Sequence, residues 1–230
     1  MKQANHLEPL GHGGYRQAVN RQLLSLMIQS QFPAGHRLIL SNLAKQLDVS
    51  ITPVREAMVD LAALGMVEIR PNRGAVTRAF GPSQLLEIYQ LRRILEVEAI
   101  RGACGKVSTS MLQELNAQLR DIQNMTKAAS SQMAIETDRR LHELIAEHCG
   151  SSRLCEEIQR YGILMQAVRD VLGNRNQIQK RAVIEHQQIV QAILANNPQR
   201  AAELMTTHID RTGQQVAAIL WPNQKPRHAN

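Results

Sequence analysis

A chain of 230 residues is long enough for one or two domains, and with 43% apolar but only 3% aromatic residues its Leu, Ile, Ala and Met favour helix-on-helix packing over a β-sandwich. The formal charge is +7; residues 1–80 carry 9 Lys and Arg against 5 Asp and Glu, and residues 81–230 carry 18 against 15, so positive charge is denser at the N-terminal end. Three cysteines without a CxxC pair, no run of about 18 apolar residues and no signal-peptide core exclude a disulfide scaffold and a membrane protein; they predict a cytoplasmic chain with buried thiols.

Residues 1–14, with three glycines and no periodicity, read as a flexible arm. Tyr15 to Gln31 follows as a helix with Val19, Leu23, Leu26 and Met27 on one stripe. Asn20, Arg21 and Gln22 on it are further candidates for phosphate contact. Phe32-Pro33-Ala34-Gly35 ends the helix, and Arg37 to Leu40 suits a short strand.

Leu43 to Val76 organises the rest. Leu43 and Leu47 lie four apart, and Val54, Met58 and Leu61 repeat at i, i+4, i+7, giving two short amphipathic helices. Asp48-Val49-Ser50 between them has room only for a turn. Ser50 or Thr52 can accept from the open amides of the second helix, and Pro53 is tolerated in a first turn. After the stop at Gly65, Val67 and Ile69 alternate with polar residues up to a cationic turn, Pro71-Asn72-Arg73-Gly74. Two helices at a tight turn with a basic hairpin behind them make a winged helix, whose second helix enters the DNA major groove.

The run Val49-Ser50-Ile51-Thr52-Pro53-Val54-Arg55-Glu56-Ala57, followed by Pro71-Asn72-Arg73-Gly74, resembles the DNA-binding domain of GntR-type bacterial transcription regulators. The resemblance implies that Thr52, Arg55, Arg73 and Gly74 meet a double-stranded operator. The plain alternative for Arg55 and Arg73 is two solvated surface arginines. Members usually carry a basic or polar residue where this chain has Ile51, which would replace a polar contact with an apolar touch on a thymine methyl.

The winged helix-turn-helix is thus expected over 15–80, an all-α antiparallel bundle over 81–221 and a flexible tail over 222–230. Helices are predicted near 83–104, 108–128, 131–149, 152–172, 175–195 and 198–220, separated by Gly, Ser, Asn and Pro breaks. Asp138 and His142, at i and i+4, share a helix face, while His148 lies about 240° around from His142. His186 and His208 sit beside apolar positions on two further helices. Three imidazoles and a carboxylate from three helices suit a first-row divalent ion (Zn, Ni, Mn or Fe) with positions left open. The plain alternative is three hydrogen-bonded, partly buried histidines and an ordinary Asp–His pair.

Leu86 to Glu96, Asp138-x3-His142, Glu185-His186 and His208-Ile209 resemble the FCD effector domain found behind the winged helix in a large GntR subgroup. That resemblance implies metal ligation by Asp138, His142, His186 and His208, a small organic acid as effector and a homodimer. Two departures, Leu141 for the usual Phe and Gly150-Ser151-Ser152 for Ser-Gly-Asn, remove no ligand. Arg92 matches a recurrent arginine and is expected to clamp the effector carboxylate. The alternative is an i, i+4 salt bridge to Glu96 on a solvated face. Gln166 and Arg169 are expected near the same cavity. The reading is a repressor released by its effector and not an enzyme; its rivals are a metal sensor and a metal-dependent hydrolase.

Overall fold

A computed structural model describes residues 15–70, 74–125, 127–173 and 176–224. The expected arm (1–14), Arg73 with its neighbours 71–72, and residues 225–230 of the tail lie outside the described residues. The elements run α1 (Tyr15–Ile28), β1 (Arg37–Leu38), α2 (Leu40–Leu47), α3 (Ile51–Ala63), β2 (Val67–Arg70), β3 (Gly74–Thr77), α4 (Pro82–Ala103), α5 (Thr109–Asn124), α6 (Lys127–His148), α7 (Ser152–Leu172), α8 (Asn176–Leu194) and α9 (Pro198–Leu220). The architecture is a helix-turn-helix with a small sheet, then an all-α domain. Two compact units divide after Gln84, with Ile163–Val171 of α7 grouped with the first.

In the first unit Val19, Leu23, Leu24, Met27, Leu47, Val54, Met58 and Leu61 are buried, so the apolar stripes of α1, α2 and α3 form one core. A polar clamp ties α1 to α3: Asn20 Nδ2 and Arg16 Nε each donate to Asp60 Oδ2 at 2.7 Å. Asn20 is therefore a fully buried anchor and no phosphate contact, while Arg21 pairs with Asp170 of α7. The predicted capping bond at the start of α3 does not form. Ser50 holds the N-cap position with extended backbone, but its side chain accepts no capping hydrogen bond.

The expected strand over Arg37 to Leu40 shrinks to two residues, because Leu40 already begins α2. The antiparallel sheet has the order β1-β3-β2, with Leu38 opposite Ala75 and Arg70 opposite Gly74. Gly74 has a left-handed φ of +78°, and a Cβ there would meet the Leu38 carbonyl oxygen at 3.3 Å. The wing thus needs glycine at this point for backbone reasons alone.

In the second unit α8 packs on α9, α5 and α6. The predicted break at 128–131 lies inside α6; the chain turns instead at Met125, before Lys127 begins the helix. Alanine and serine at 128–131 continue a helix readily, so composition misplaced that boundary. The Gly213 backbone on α9 lies against the buried Tyr89 ring of α4, so that an added Cβ would fall 2.7 Å from Tyr89 Cγ. This close crossing sets α4 beside the segment of α9 that carries His208. Trp221 is buried, and the Gln224 amide donates to its carbonyl, so the first residues of the expected tail form a turn. Of the three free thiols only Cys149 is buried. Among the described residues no helix is long and apolar enough to cross a membrane.

Candidate nucleic-acid interface and metal centre

The recognition helix follows from the amphipathic spacing of α3. Val54, Ala57, Met58 and Leu61 turn inward, which leaves Ile51, Thr52, Arg55, Glu56 and Val59 exposed on the opposite face. Arg55 lies between two apolar groups, Ile51 at 41% and Val59 at 56% exposure, each four residues away. Val59 is not among the contacts expected from the sequence. Its place one turn beyond Arg55, outside the Val54–Met58–Leu61 stripe, is the signal that could have found it.

In the second unit Asp138 and His142 from α6, His186 from α8 and His208 from α9 converge. Each offers one ligand atom, and these atoms lie within 4.8 Å of one another. His186 Nε2 is 3.2 Å from His208 Nε2 and 3.4 Å from Asp138 Oδ1, and His142 Nε2 is 3.9 Å from that same oxygen. All three imidazoles are buried, and Asp138 is half-buried. Bonds of about 2.0–2.1 Å to a tetrahedral ion set donor–donor edges of about 3.3 Å. The His186–His208 and His186–Asp138 separations match that edge, and the others, up to 4.8 Å, would have to contract around an ion. The donors, three borderline nitrogens and one oxygen, fit a first-row divalent ion. His148 stands apart, with its Nδ1 against the Leu144 carbonyl.

Behind the cluster lie two charged arms. On α4, Arg92 donates through Nε to Glu96 Oε1 at 2.8 Å, with Nη2 at 2.7 Å from the same oxygen; Glu96 Oε2 meets His142 Nδ1. This overturns the solvated-face alternative: the Arg92–Glu96 pair exists, but Arg92 is 7% and Glu96 3% exposed. On α8, Glu185 Oε2 meets His208 Nδ1 at 2.9 Å, and its Oε1 accepts from Arg211 and, at 3.3 Å, from Arg181. Burial pushes the Glu96 carboxyl up, but Arg92 and His142 outweigh it and hold the group at about 2. Burial also raises Glu185, and the contacts with His208 and Arg211 hold it below the usual carboxylate range. Arg92 stays above its ordinary value despite burial, through the charges of Glu96, Tyr89 and Asp138. Its guanidinium also lies 5.2 Å over the Tyr89 ring.

In the sequence Glu96 stands out only as a surface partner of Arg92, and beyond the Glu185-His186 pair nothing marks Glu185 or Arg211. Glu185 immediately precedes His186 yet serves His208, a pairing that only the α8–α9 packing creates. Gln166 donates to Asp170, and both lie in the stretch of α7 grouped with the first unit.

Residues 15–76 match the model for bacterial regulatory proteins of the gntR family, and residues 87–211 match the FCD domain model. The HTH-type transcriptional regulator McbR of Escherichia coli (strain K12) is 32% identical over 131 residues, which cover 57% of this chain and 59% of McbR. The match thus spans less than two thirds of that relative. The HTH-type transcriptional repressor RspR of the same organism is 21% identical over 221 residues, covering 96% of this chain and 95% of RspR. The solved structure of E. coli McbR/YncC superposes with a TM-score of 0.63 at 24% identity, over 91% of this chain and 98% of that one; this is a likeness of fold.

Proposed function

The chain belongs to the gntR family of bacterial regulatory proteins, with an FCD domain behind its winged helix, and from that premise we propose a homodimeric, metabolite-responsive repressor. It is a DNA-binding transcription regulator and not an enzyme. The proposal concerns what its second domain senses. Asp138, His142, His186 and His208 hold a divalent ion, and a small organic acid binds beside it and releases the operator. The observation that carries this is the convergence of three imidazole Nε2 atoms and one carboxylate oxygen from three helices.

Thr52 and Arg55 read the operator from the exposed face of α3, and the sequence pattern assigns Arg73 and Gly74 as further contacts. A bidentate Arg55 on guanine, flanked by Ile51 and Val59 against thymine methyls, would give this helix a specific reading pattern. A two-fold dimer presents two such helices to a near-palindromic site.

When bound, the ion supplies a Lewis-acidic centre for an anionic oxygen. Counting Asp138, Glu96 and Glu185 against Arg92 and Arg211, and leaving aside the solvent-screened Arg181 at 55% exposure, the immediate surroundings carry a net charge of −1 with the imidazoles uncharged. A divalent ion reverses that sign, which favours an anionic ligand over a neutral one. Arg92 has five N–H donors, of which Glu96 engages two. The effector carboxylate takes the others.

The dimer face we assign is the outer stripe of α4. Leu91 and Ile94 are 46% and 57% exposed there, in line with exposed Glu87, Glu98 and Arg101. In an antiparallel pairing centred on Ile94, Glu87 falls opposite Arg101 and Gln90 opposite Glu98 of the second copy. A register shifted to oppose Leu91 and Ile94 would set Glu87 against Glu98, and a parallel pairing would oppose like charges throughout. The charge pattern therefore favours one isologous arrangement.

The test is a thermal-shift screen of metal-loaded protein against small mono- and dicarboxylates, followed by operator titration with each hit. Stabilisation that needs both the metal and Arg92, with weakened operator binding, supports the reading. Operator affinity that responds to the ion alone, and to no carboxylate, replaces it with a metal sensor.

A further inference from the structure

Both arms behind the cluster have the same wiring. In each, one carboxylate oxygen faces an arginine and the other faces the Nδ1 of a site histidine: Arg92–Glu96–His142 and Arg211–Glu185–His208. Arginine has only donors, and an ionised carboxylate has only acceptors. With the carboxylate oxygen accepting, the ring contact requires a proton on Nδ1, and a neutral imidazole protonated there presents the Nε2 lone pair. In both rings Nε2 is the atom aimed into the cluster.

We propose that Glu96 and Glu185 are positioning residues which, each anchored by its arginine, lock His142 and His208 in the Nδ1–H tautomer with Nε2 ready to bind a metal. The inference rests on the metal reading above but assigns roles to residues outside the ligand set. The two arms differ in setting. Glu96 and Arg92 are enclosed within the domain, whereas Arg211 and Arg181 of the second arm are 34% and 55% exposed. The first arm is the rigid one, and the second tolerates substitution better.

The wiring makes an isosteric change informative. Glu96→Gln leaves one oxygen and one NH2 group at nearly unchanged volume. Arg92 can only donate, so it claims the oxygen and turns the NH2 toward His142. The ring must then accept at Nδ1, which moves its proton to Nε2 and blocks the atom facing the cluster. The same logic holds for Glu185→Gln, where both Arg181 and Arg211 face a single oxygen. Removing the arginine as well, in Arg92→Met/Glu96→Gln, frees the amide to turn round and brings back the Nδ1–H form.

The experiment uses full-length protein labelled with 15N at histidine. Long-range 1H–15N spectra after EDTA treatment report the tautomers, and competition with a chelating dye gives the zinc affinity. In wild type, His142 and His208 are expected as Nδ1–H. Each Gln variant is expected to invert its own ring only and to bind zinc about 10–100-fold more weakly, with partial recovery in Arg92→Met/Glu96→Gln. Nε2–H rings in the wild type, or Gln variants that bind zinc as tightly as wild type, overturn the proposal. The wild-type spectrum decides even where a variant fails to fold. Wild-type protein with both rings Nδ1–H that binds no divalent ion overturns the metal reading instead, while the tautomer lock stands.

Discussion

Gly213 and Gly162 both lie within long helices, so helix propensity alone predicts that alanine stabilises either position by about 0.5–1 kcal/mol. The packing predicts opposite signs. At Gly162 no atom lies within 4 Å of an added Cβ, and the full gain is expected. At Gly213 the new methyl would lie 2.7 Å from Cγ, 2.9 Å from Cδ1 and 3.0 Å from Cβ of Tyr89. The first of these is ~0.8 Å inside an ordinary carbon–carbon contact of about 3.5 Å. Tyr89 is 4% exposed with Arg92 against its ring, so it cannot swing aside without disturbing the Glu96 arm. Overpacking of this kind costs about 1–3 kcal/mol. Set against the propensity gain, Gly213→Ala is expected to destabilise by up to about 2.5 kcal/mol. It should also lower zinc affinity, since α4 and α9 must separate. Urea unfolding followed by circular dichroism measures both variants. In a Tyr89→Ala background the Gly213→Ala penalty should vanish. Gly213→Ala as stabilising as Gly162→Ala would refute the close crossing of α4 and α9.

Arg55→Ala is expected to cost about 1–3 kcal/mol on the specific operator and far less on random DNA, read by fluorescence anisotropy; equal losses on both would remove its role as a base reader. Asp60→Ala leaves the fully buried Asn20 amide without its partner, which predicts a loss of about 1–3 kcal/mol in stability, measured by denaturant unfolding. Glu87→Arg is expected to weaken the dimer in sedimentation equilibrium, and Glu87→Arg/Arg101→Glu to restore it; an unchanged dimer in the single variant would move the interface off this face of α4.

The fold was readable wherever one local pattern decided it. The i, i+4, i+7 spacing of Val54, Met58 and Leu61 set the buried side of α3, and Gly and Pro breaks bounded most later helices close to their observed ends. Local pattern failed where the chain's local preference was neutral, as at 128–131, where alanine and serine permit helix and the turn falls earlier. It failed again at Ser50, a residue suited to capping whose side chain makes no capping bond. The grouping of Asp138, His142, His186 and His208 could be anticipated, because two lie one turn apart, the others sit at apolar edges of their own helices, and all four match in order the pattern of the FCD resemblance. The arms behind them could not. Arg92–Glu96 looks in sequence like any exposed i, i+4 pair, but in the folded domain both side chains are buried and Glu96 meets His142 of α6. Glu185 meets His208 only because α8 and α9 lie side by side, a contact between residues 23 positions apart.

The central claim about the second domain is that these four residues hold one metal ion. Its most direct test is elemental analysis of purified full-length protein beside the His186→Ala/His208→Ala double variant, with His148→Ala as control. About one divalent ion per chain is expected in wild type and in the control, as four converging ligands and one site imply, and a marked loss is expected in the double variant. Undiminished metal in the double variant would contradict the site.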